Sequence, residues 1–244
     1  MPSPWWRCMT SRAPVVFLVD VDNTLIDNDA LQEDLKAYIG REFGAECRDR
    51  YWTIVVDLFT ELGYRDYIGA LQRLRVENPL HMGLLSISSF LLDYPFPDRL
   101  YPSALEVLKR LRRWGPTVIL TDGDIVFQPR KVERSGISGV VEGHVLIYIH
   151  KEEALDDVAR RYPADHYVLV DDKPRILAAV KAGWGERVTT VLPRQGQFAL
   201  DQKVLAGLPP PDIAIDHIGE LLRYELSGLL PGAPAFTISS EAAR

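Results

Sequence analysis

The chain alternates short runs of consecutive apolar residues with segments in which apolar residues recur at helical spacing. The clearest runs are 15–19, 117–120, 167–170 and 188–192, and each is rich in β-branched or aromatic residues. Such runs, bounded by polar residues, are typical of strands that are buried on both faces of a parallel sheet. Their alternation with helical segments predicts an α/β fold with right-handed crossover connections.

Weaker patterns predict further elements of the same fold. Short apolar segments predict strands at 140–141, 145–149 and 212–215. Amphipathic segments predict helices at about 103–114, 152–161, 174–182 and 218–226, and a helix that carries Val126, Lys131 and Val132 and is closed by Gly136.

The region between the first two strands has a different pattern. Leu31 and Leu35, and later Val55 and Phe59, recur at helical spacing, and no strong strand pattern interrupts residues 28–93. Three prolines then follow within residues 94–102, which excludes a continuous helix there. We interpret the region as a helical insertion that returns to the core through this proline-rich linker.

These boundaries divide the chain into four predicted parts. Residues 14–27 and 97–226 form the catalytic core, and residues 28–96 form a helical cap. Residues 1–13 are expected to be a flexible extension, and residues 227–244, rich in Pro, Ala and Ser, a disordered tail.

Composition narrows the class of protein. The chain has 244 residues, 47% of them hydrophobic and 25% charged, which is ordinary for a globular protein. Its net charge of -6 gives no support for nucleic-acid binding. The two cysteines have no metal-ligand spacing, and we see neither a signal-peptide core nor a membrane-spanning segment. We therefore expect a cytoplasmic protein without a nucleic-acid or membrane partner; its oligomeric state stays open.

Polar side chains follow the predicted strands where the chemistry of open α/β sheets is found, beyond the carboxyl ends. They are Asp20 and Asp22, then Thr121, Asp122 and Gly123, and finally Asp171 and Asp172. Carboxylates that converge at one edge repel each other unless a cation relieves them. Because hard oxygen ligands suit magnesium, the pattern predicts an Mg²⁺ site.

A phosphate held by such a metal would find further partners in the same set. Thr121, Asp122 and the backbone amides near Gly123 can bind its oxygens. Lys151 can act as a point charge on the transferring oxygens and on the nucleophile. Asp20 can be that nucleophile, forming an aspartyl-phosphate, and Asp22 can act as general acid and base.

Structural roles are the alternatives for each of these residues. Both acidic pairs and Thr121 could cap turns or helices, and Lys151 could be a solvated surface residue. Arg65, Tyr67, Arg73 and Arg75 in the cap are interpreted as part of an outer face, with substrate contact as the alternative. No role is assigned to residues 194–198.

The motifs resemble those of the haloacid dehalogenase-like hydrolase superfamily. Asp20-Val21-Asp22-Asn23-Thr24 matches its first motif, and the strand ending at Thr121 matches its second. Lys151 is best placed as the lysine of the third, with Lys131 as an alternative, and Asp171-Asp172 matches the acidic pair of the fourth. The resemblance covers about residues 14–226, and the helical insertion looks like that family's cap of the first type.

The resemblance implies a Rossmann-like three-layer core and a phosphatase mechanism. The magnesium ligands would be Asp20, the backbone carbonyl of Asp22, Asp171 and Asp172, with the division between the last two left open. Asp22 favours a phosphatase, because the namesake dehalogenases usually lack this second aspartate. Asp122 departs from the family, where Asn is common.

We therefore predict a magnesium-dependent phosphatase of a small phosphorylated metabolite. A non-catalytic phosphate-binding protein and a dehalogenase are the alternatives. The identity of the substrate, and whether water is always the acceptor, stay open.

Overall fold

The computed structural model describes residues 11–77 and 83–230. Most of the predicted extension (residues 1–10) and tail (residues 231–244) lies outside the described residues. Within the described part, no helix has both the length and the apolar character that a membrane span needs.

Six parallel strands form one sheet with the order β3-β2-β1-β4-β5-β6. The strands are β1 Ala13–Val19, β2 Thr117–Asp122, β3 Val145–Tyr148, β4 Ala164–Val170, β5 Val188–Pro193 and β6 Ile213–Ile215. β1 lies between β2 and β4, and Val19 is in register with Ile119 and Val170. The three strand ends that carry the acidic motifs are therefore neighbours at one edge of the sheet.

The first four helices after β1 form the inserted region. They are α1 Asn28–Phe43, α2 Ala45–Leu62, α3 Tyr67–Glu77 and α4 Leu84–Leu92. Their inward residues, among them Leu35, Val55 and Leu71, pack into a hydrophobic cluster separate from the two that cover the sheet. Asp27 begins α1 by accepting a hydrogen bond from the Ala30 amide at 2.9 Å, an ordinary N-cap.

The remaining helices cover the two faces of the sheet. They are α5 Ala104–Leu111, α6 Phe127–Arg134, α7 Ile137–Val140, α8 Leu155–Arg161, α9 Pro174–Trp184, α10 Gly196–Leu200 and α11 Gln202–Ala206. Along β1, Phe17 packs into the cluster on one face and Leu18 into the cluster on the other. This alternation explains why buried parallel strands are apolar throughout. The predicted α/β fold, with its three-layer core and inserted helical region, is confirmed.

Two predicted elements differ in the structure. The expected strand at 140–141 is wrong: Gly136, with φ +83°, begins the short helix α7, which ends at Val140. Two adjacent valines are too few to separate a strand from a buried turn of helix. The expected helix at 218–226 is instead two 3₁₀ segments, Ile218–Arg223 and Leu226–Leu229.

The second of these segments also corrects the predicted start of the tail. Leu229 is fully buried in the cluster that contains Phe17 and Val19. Leu229, with Leu230 partly buried beside it, is thus packed against the core, whereas Ser227 is exposed.

Candidate active site

Three buried carboxylates meet where β1 and β4 end. Asp20 follows β1, and its amide donates to the Val170 carbonyl at 2.9 Å, which fixes it beside the next strand. Asp171 and Asp172 follow β4. One carboxylate oxygen from each of the three lies within 4.8 Å of the others, and all three side chains are buried.

Lys151 lies inside this group of acids. Its side chain is fully buried, and its Nζ is 2.5 Å from Asp20 Oδ1 and 2.6 Å from Asp171 Oδ2. The latter contact is an ion pair without ordinary hydrogen-bond geometry. Burial disfavours the ammonium, but the charges of Asp171, Asp20 and Asp122 outweigh it and raise the pKa of Lys151 well above its usual value. Lys151 therefore stays charged next to Asp20.

Lys131 is a second buried lysine, and it binds a different carboxylate. Its Nζ donates to Asp22 Oδ1 at 2.5 Å and to Asn28 Oδ1 at 3.1 Å. The ammonium also lies 5.0 Å from the centroid of the Phe127 ring. Lys131 thus holds Asp22, whereas Lys151 holds Asp20, and the geometry favours Lys151 for the role in the third motif.

The acidic pair after β4 is not symmetric. Asp171 is engaged: its Oδ1 accepts the Lys173 amide at 2.8 Å and its Oδ2 faces Lys151. Neither oxygen of Asp172 has a hydrogen-bond partner within the described part of the chain, and neither does Asp20 Oδ2. Burial, and then the charge of Asp171, raise the pKa of Asp172 well above its usual value.

The charge balance of the site is suited to binding a cation. Five carboxylates belong to the site, on Asp20, Asp22, Asp122, Asp171 and Asp172, and three ammonium groups, on Lys131, Lys151 and Lys173. If all are ionised, two negative charges remain uncompensated in a buried place. Buried oxygens without partners and an excess of negative charge are the environment in which a divalent cation binds to carboxylates.

The residues at the end of β2 contact neighbouring protein groups in the structure, whereas the sequence predicts contacts with a phosphate. Thr121 Oγ1 accepts a hydrogen bond from Gln128 Nε2 at 2.9 Å. Asp122 Oδ1 accepts the backbone amide of Lys151 at 2.8 Å, so this carboxylate positions the lysine. A Cβ on Gly123 would lie 2.6 Å from Gln128 Cβ, which explains the glycine at this close approach. Binding of phosphate by these three residues stays a prediction.

Residues 194–198, which had no assigned role, support the acidic loop from the end of β5. Gln195 Nε2 donates to the carbonyls of Asn23 and Thr24, at 3.3 and 3.2 Å. Asn23 has a positive φ of 57°, so this loop conformation needs such support. The backbone amide and the side-chain Nε2 of Gln197 both donate to the Asp29 carboxylate, each at 2.8 Å. Functional residues of parallel sheets lie beyond the carboxyl ends of the strands, and residues 194–198 follow β5. The argument that located the acids could therefore have identified this segment as part of the site.

Thr24 links the two acidic loops. Its Oγ1 accepts the Asp172 amide at 3.0 Å, and the side chain is fully buried. The contact joins the loop after β1 to the loop after β4 and so fixes Asp172 relative to Asp20.

A narrow cavity of about 30 Å³ separates these acids from the helical insertion. Its core side includes Asp22, Asp172 and Lys173, and its cap side Phe59, Tyr64, Arg65 and Tyr67. Arg65 and Tyr67 therefore face the site and not only the outer surface. Arg73 instead pairs with Glu61, and Arg75 is exposed.

Replacing the unpartnered acid gives a first test of the metal site. We expect Asp172→Asn to raise the free energy of unfolding in EDTA by about 1 kcal/mol or more, because the folded protein no longer has to bury this carboxylate or keep it protonated. Magnesium at roughly 100 times its Kd should raise the free energy of unfolding of the wild-type protein by about 2.7 kcal/mol. Urea denaturation of Asp172→Asn should show little of this gain. A variant that Mg²⁺ stabilises as strongly as the wild type would contradict the role of Asp172.

The fold and the site define an α/β enzyme whose acidic centre lies at the carboxyl edge of a parallel sheet, under a helical insertion. The family model of the haloacid dehalogenase-like hydrolases matches residues 15–183. The chain therefore belongs to the haloacid dehalogenase-like hydrolases. No curated protein matches the sequence at a significant level.

Solved structures give the same family. A protein from Burkholderia xenovorans LB400, named as a haloacid dehalogenase-like hydrolase, is 58% identical, with a TM-score of 0.85 over 87% of this chain and 99% of that one. A Bacillus subtilis protein named as a hydrolase of this family and bound to magnesium is 15% identical, with a TM-score of 0.57 over 86% and 97% of the two chains. L-2-haloacid dehalogenase from Xanthobacter autotrophicus is 16% identical, with a TM-score of 0.55 over 86% and 97%. At such low identity, the last two share the fold alone.

Proposed function

We propose that this hydrolase is a magnesium-dependent phosphatase that acts on a small phosphorylated metabolite through an aspartyl-phosphate. The observation that carries the proposal is the carboxylate of Asp22, which lines the cavity two residues after Asp20. A halide leaves carbon as a stable anion and needs no proton. An alkoxide that leaves phosphorus does need one, and in this proposal the Asp22 carboxyl at the cavity wall supplies it when protonated.

The buried acids also fit a magnesium site. Asp20, Asp171 and Asp172 would hold the ion through their carboxylates, together with the backbone carbonyl of Asp22. Of the acidic pair, Asp172 is the better candidate for direct contact, because both its oxygens lack a partner among the described residues. When bound, Mg²⁺ supplies positive charge that neutralises the phosphate oxygens.

The residues of the chain divide the reaction into two steps. In the first, Asp20 forms a bond to phosphorus, the bond from phosphorus to the ester oxygen breaks, and protonated Asp22 gives its proton to that oxygen. In the second, ionised Asp22 takes a proton from water, the water oxygen bonds to phosphorus, and the bond to Asp20 breaks. Orthophosphate and free Asp20 result. Lys151 orients the Asp20 carboxylate throughout.

Substrate entry requires the cap to move in this proposal. A cavity of about 30 Å³ holds little more than one water molecule, and a phosphate ester is several times larger. Opening and closing of the four cap helices over the strand ends would admit the ester and then exclude bulk water.

The low cysteine content supports a cytoplasmic location, and the net charge of -6 supports a small-molecule substrate over nucleic acid. These remain parts of the proposal.

A substrate screen tests the function directly. We expect phosphate release from p-nitrophenyl phosphate and a panel of small phosphate esters in Mg²⁺, and roughly a thousandfold less in EDTA, since a metal contributes several kcal/mol. Chloride release from L-2-chloropropionate is measured in parallel. Metal-independent chloride release without phosphate release would replace the proposal by a dehalogenase. Binding of phosphate without turnover would indicate a non-catalytic member of the family.

A further inference from the structure

We propose that Arg65 binds a carboxylate of the substrate, so that the substrate is the phosphate ester of a small hydroxy acid. The inference rests on the proposed phosphatase function and names its substrate class. It is drawn from the cap side of the cavity, where a guanidinium, a buried phenol and two aromatic rings face the catalytic acids.

Among the described residues, Arg65 lacks the acidic partner that several other arginines of the cap have. Arg50 pairs with Glu77, and Arg73 pairs with Glu61. Within the described residues, no carboxylate forms an ion pair with Arg65, although it lies in the wall of a cavity. A half-buried guanidinium without a counter-ion is suited to bind an anionic ligand.

Two aromatic rings lie beside this guanidinium. The Arg65 Cζ atom is 5.1 Å from the centroid of Phe59 and 5.6 Å from that of Phe198. The two rings are stacked on each other, with centroids 6.3 Å apart and 25° between their planes. Cation–π contacts of this kind restrain the side chain. The N–H groups of a guanidinium form a planar fork that matches a carboxylate in a bidentate pair.

Tyr67 places a second donor between Arg65 and the reaction centre. Its hydroxyl is fully buried in the cavity wall and makes no hydrogen bond of ordinary geometry, although the Asn28 amide is near. Burial raises the pKa of Tyr67, the charge of Arg65 lowers it, and the charge of Asp22 raises it again. The hydroxyl therefore lies within the fields of both groups, as a donor without a partner in a closed place.

The positions define the shape of the substrate. Asp22 is proposed to give a proton to the ester oxygen, so the organic part of the substrate extends from Asp22 toward the cap. A carboxylate on that part would meet the Tyr67 hydroxyl and the Arg65 fork. The small volume of this cavity, whose lining includes Phe59 and Phe127, favours a short carbon chain.

A structural role for Arg65 is the competing explanation. Phe198 belongs to α10 of the core, whereas Arg65 and Phe59 belong to the cap, so the three side chains could simply hold the closed cap. A clasp of this kind would affect all substrates equally, whereas carboxylate binding affects only those that carry the group. The two roles are therefore separable by a ratio of substrates.

The test compares 2-phosphoglycolate with ethyl phosphate, which has a methyl group in place of the carboxylate. We expect the wild type to prefer 2-phosphoglycolate in kcat/KM, and Arg65→Ala to lower this preference by about 10- to 100-fold, mainly through KM. Arg65→Lys should keep part of it. Phe198→Ala removes the ring on the core side but keeps the charge of Arg65. It should lower kcat/KM for both substrates by the same factor. Arg75→Ala removes an exposed arginine of the same cap and is the control for the loss of one positive charge.

Two results would overturn the inference: a wild type without the preference, or an Arg65→Ala variant that retains it. An Arg65→Ala variant in which kcat/KM falls by the same factor for both substrates, with the preference retained, would assign Arg65 to the clasp. Binding to Asp20→Asn in Mg²⁺, measured by calorimetry, gives the same ratio without turnover. If that ratio depends on Arg65 but no phosphate ester is hydrolysed, the phosphatase function fails and the carboxylate site stands. If esters are hydrolysed but the ratio does not depend on Arg65, the reverse holds.

Discussion

Asp20→Asn should lower kcat for phosphate release by about 10⁴-fold or more, because the reaction loses its nucleophile. The change keeps the shape of the side chain and removes one of three crowded, buried carboxylates. The variant should therefore stay folded, and loss of activity can be assigned to chemistry. The measurement is steady-state phosphate release in Mg²⁺, with circular dichroism to check the fold.

A matched control is available on a neighbouring strand. Asp165 lies on β4 but is exposed, and among the described residues it pairs only with Arg12. Asp165→Asn makes the same chemical change away from the site and should leave kcat within about twofold. Wild-type phosphate release by Asp20→Asn would remove Asp20 from the proposed mechanism. Wild-type enzyme quenched during turnover should also carry a phosphoryl group that Asp20→Asn lacks, as detected by intact-mass spectrometry.

Lys151→Met should lower the free energy of unfolding by about 3–5 kcal/mol in EDTA, the usual cost of breaking a buried ion pair on one side. The ammonium is fully buried and contacts Asp20 and Asp171. Methionine has a similar volume, so the loss comes from the carboxylates that are left without a counter-charge. Urea denaturation measures the effect, and Mg²⁺ should restore part of the loss by neutralising the same acids.

The second buried lysine provides the comparison. Lys131 is also paired at 2.5 Å, but its partner Asp22 retains 25% side-chain exposure to the cavity and can be solvated there. Lys131→Met should therefore cost less stability than Lys151→Met. An equal or larger loss of stability in Lys131→Met would show that the exposure of Asp22 to the cavity does not reduce the effect of removing its partner.

The apolar runs were sufficient to determine the sheet and the location of its chemistry. Strands buried on both faces must be apolar throughout, and in parallel sheets their carboxyl ends meet at one edge. Asp20, Asp171 and Asp172 each follow such a run, so their convergence could be predicted from local sequence alone. The helical insertion could be predicted for the same reason, since its period differs from that of the strands. A pair of apolar residues such as 140–141 is too short for this pattern to distinguish a strand from a helix.

What the sequence left open depends on contacts between distant residues. The sequence favours Lys151 over Lys131 as the motif lysine but does not show which acid each one contacts. In the structure Lys151 reaches Asp20 across 131 positions, while Lys131 reaches Asp22. Asp122 also looks like a ligand of phosphate in the sequence, yet its carboxylate holds the Lys151 amide. Side-chain partners of this kind follow from strand order and packing and have no periodic signal.

The same reason separates the two sides of the cavity. The acids of the core follow from local strand patterns, and the sequence by itself determined them. Arg65, Tyr67 and Phe198 come from a cap loop, a cap helix and a core helix, and only the tertiary structure brought them to one wall. Because their grouping depends on how the cap packs over the strand ends, the acids of the proposed phosphatase site could be predicted from the sequence, whereas the wall proposed to bind the rest of the substrate could not.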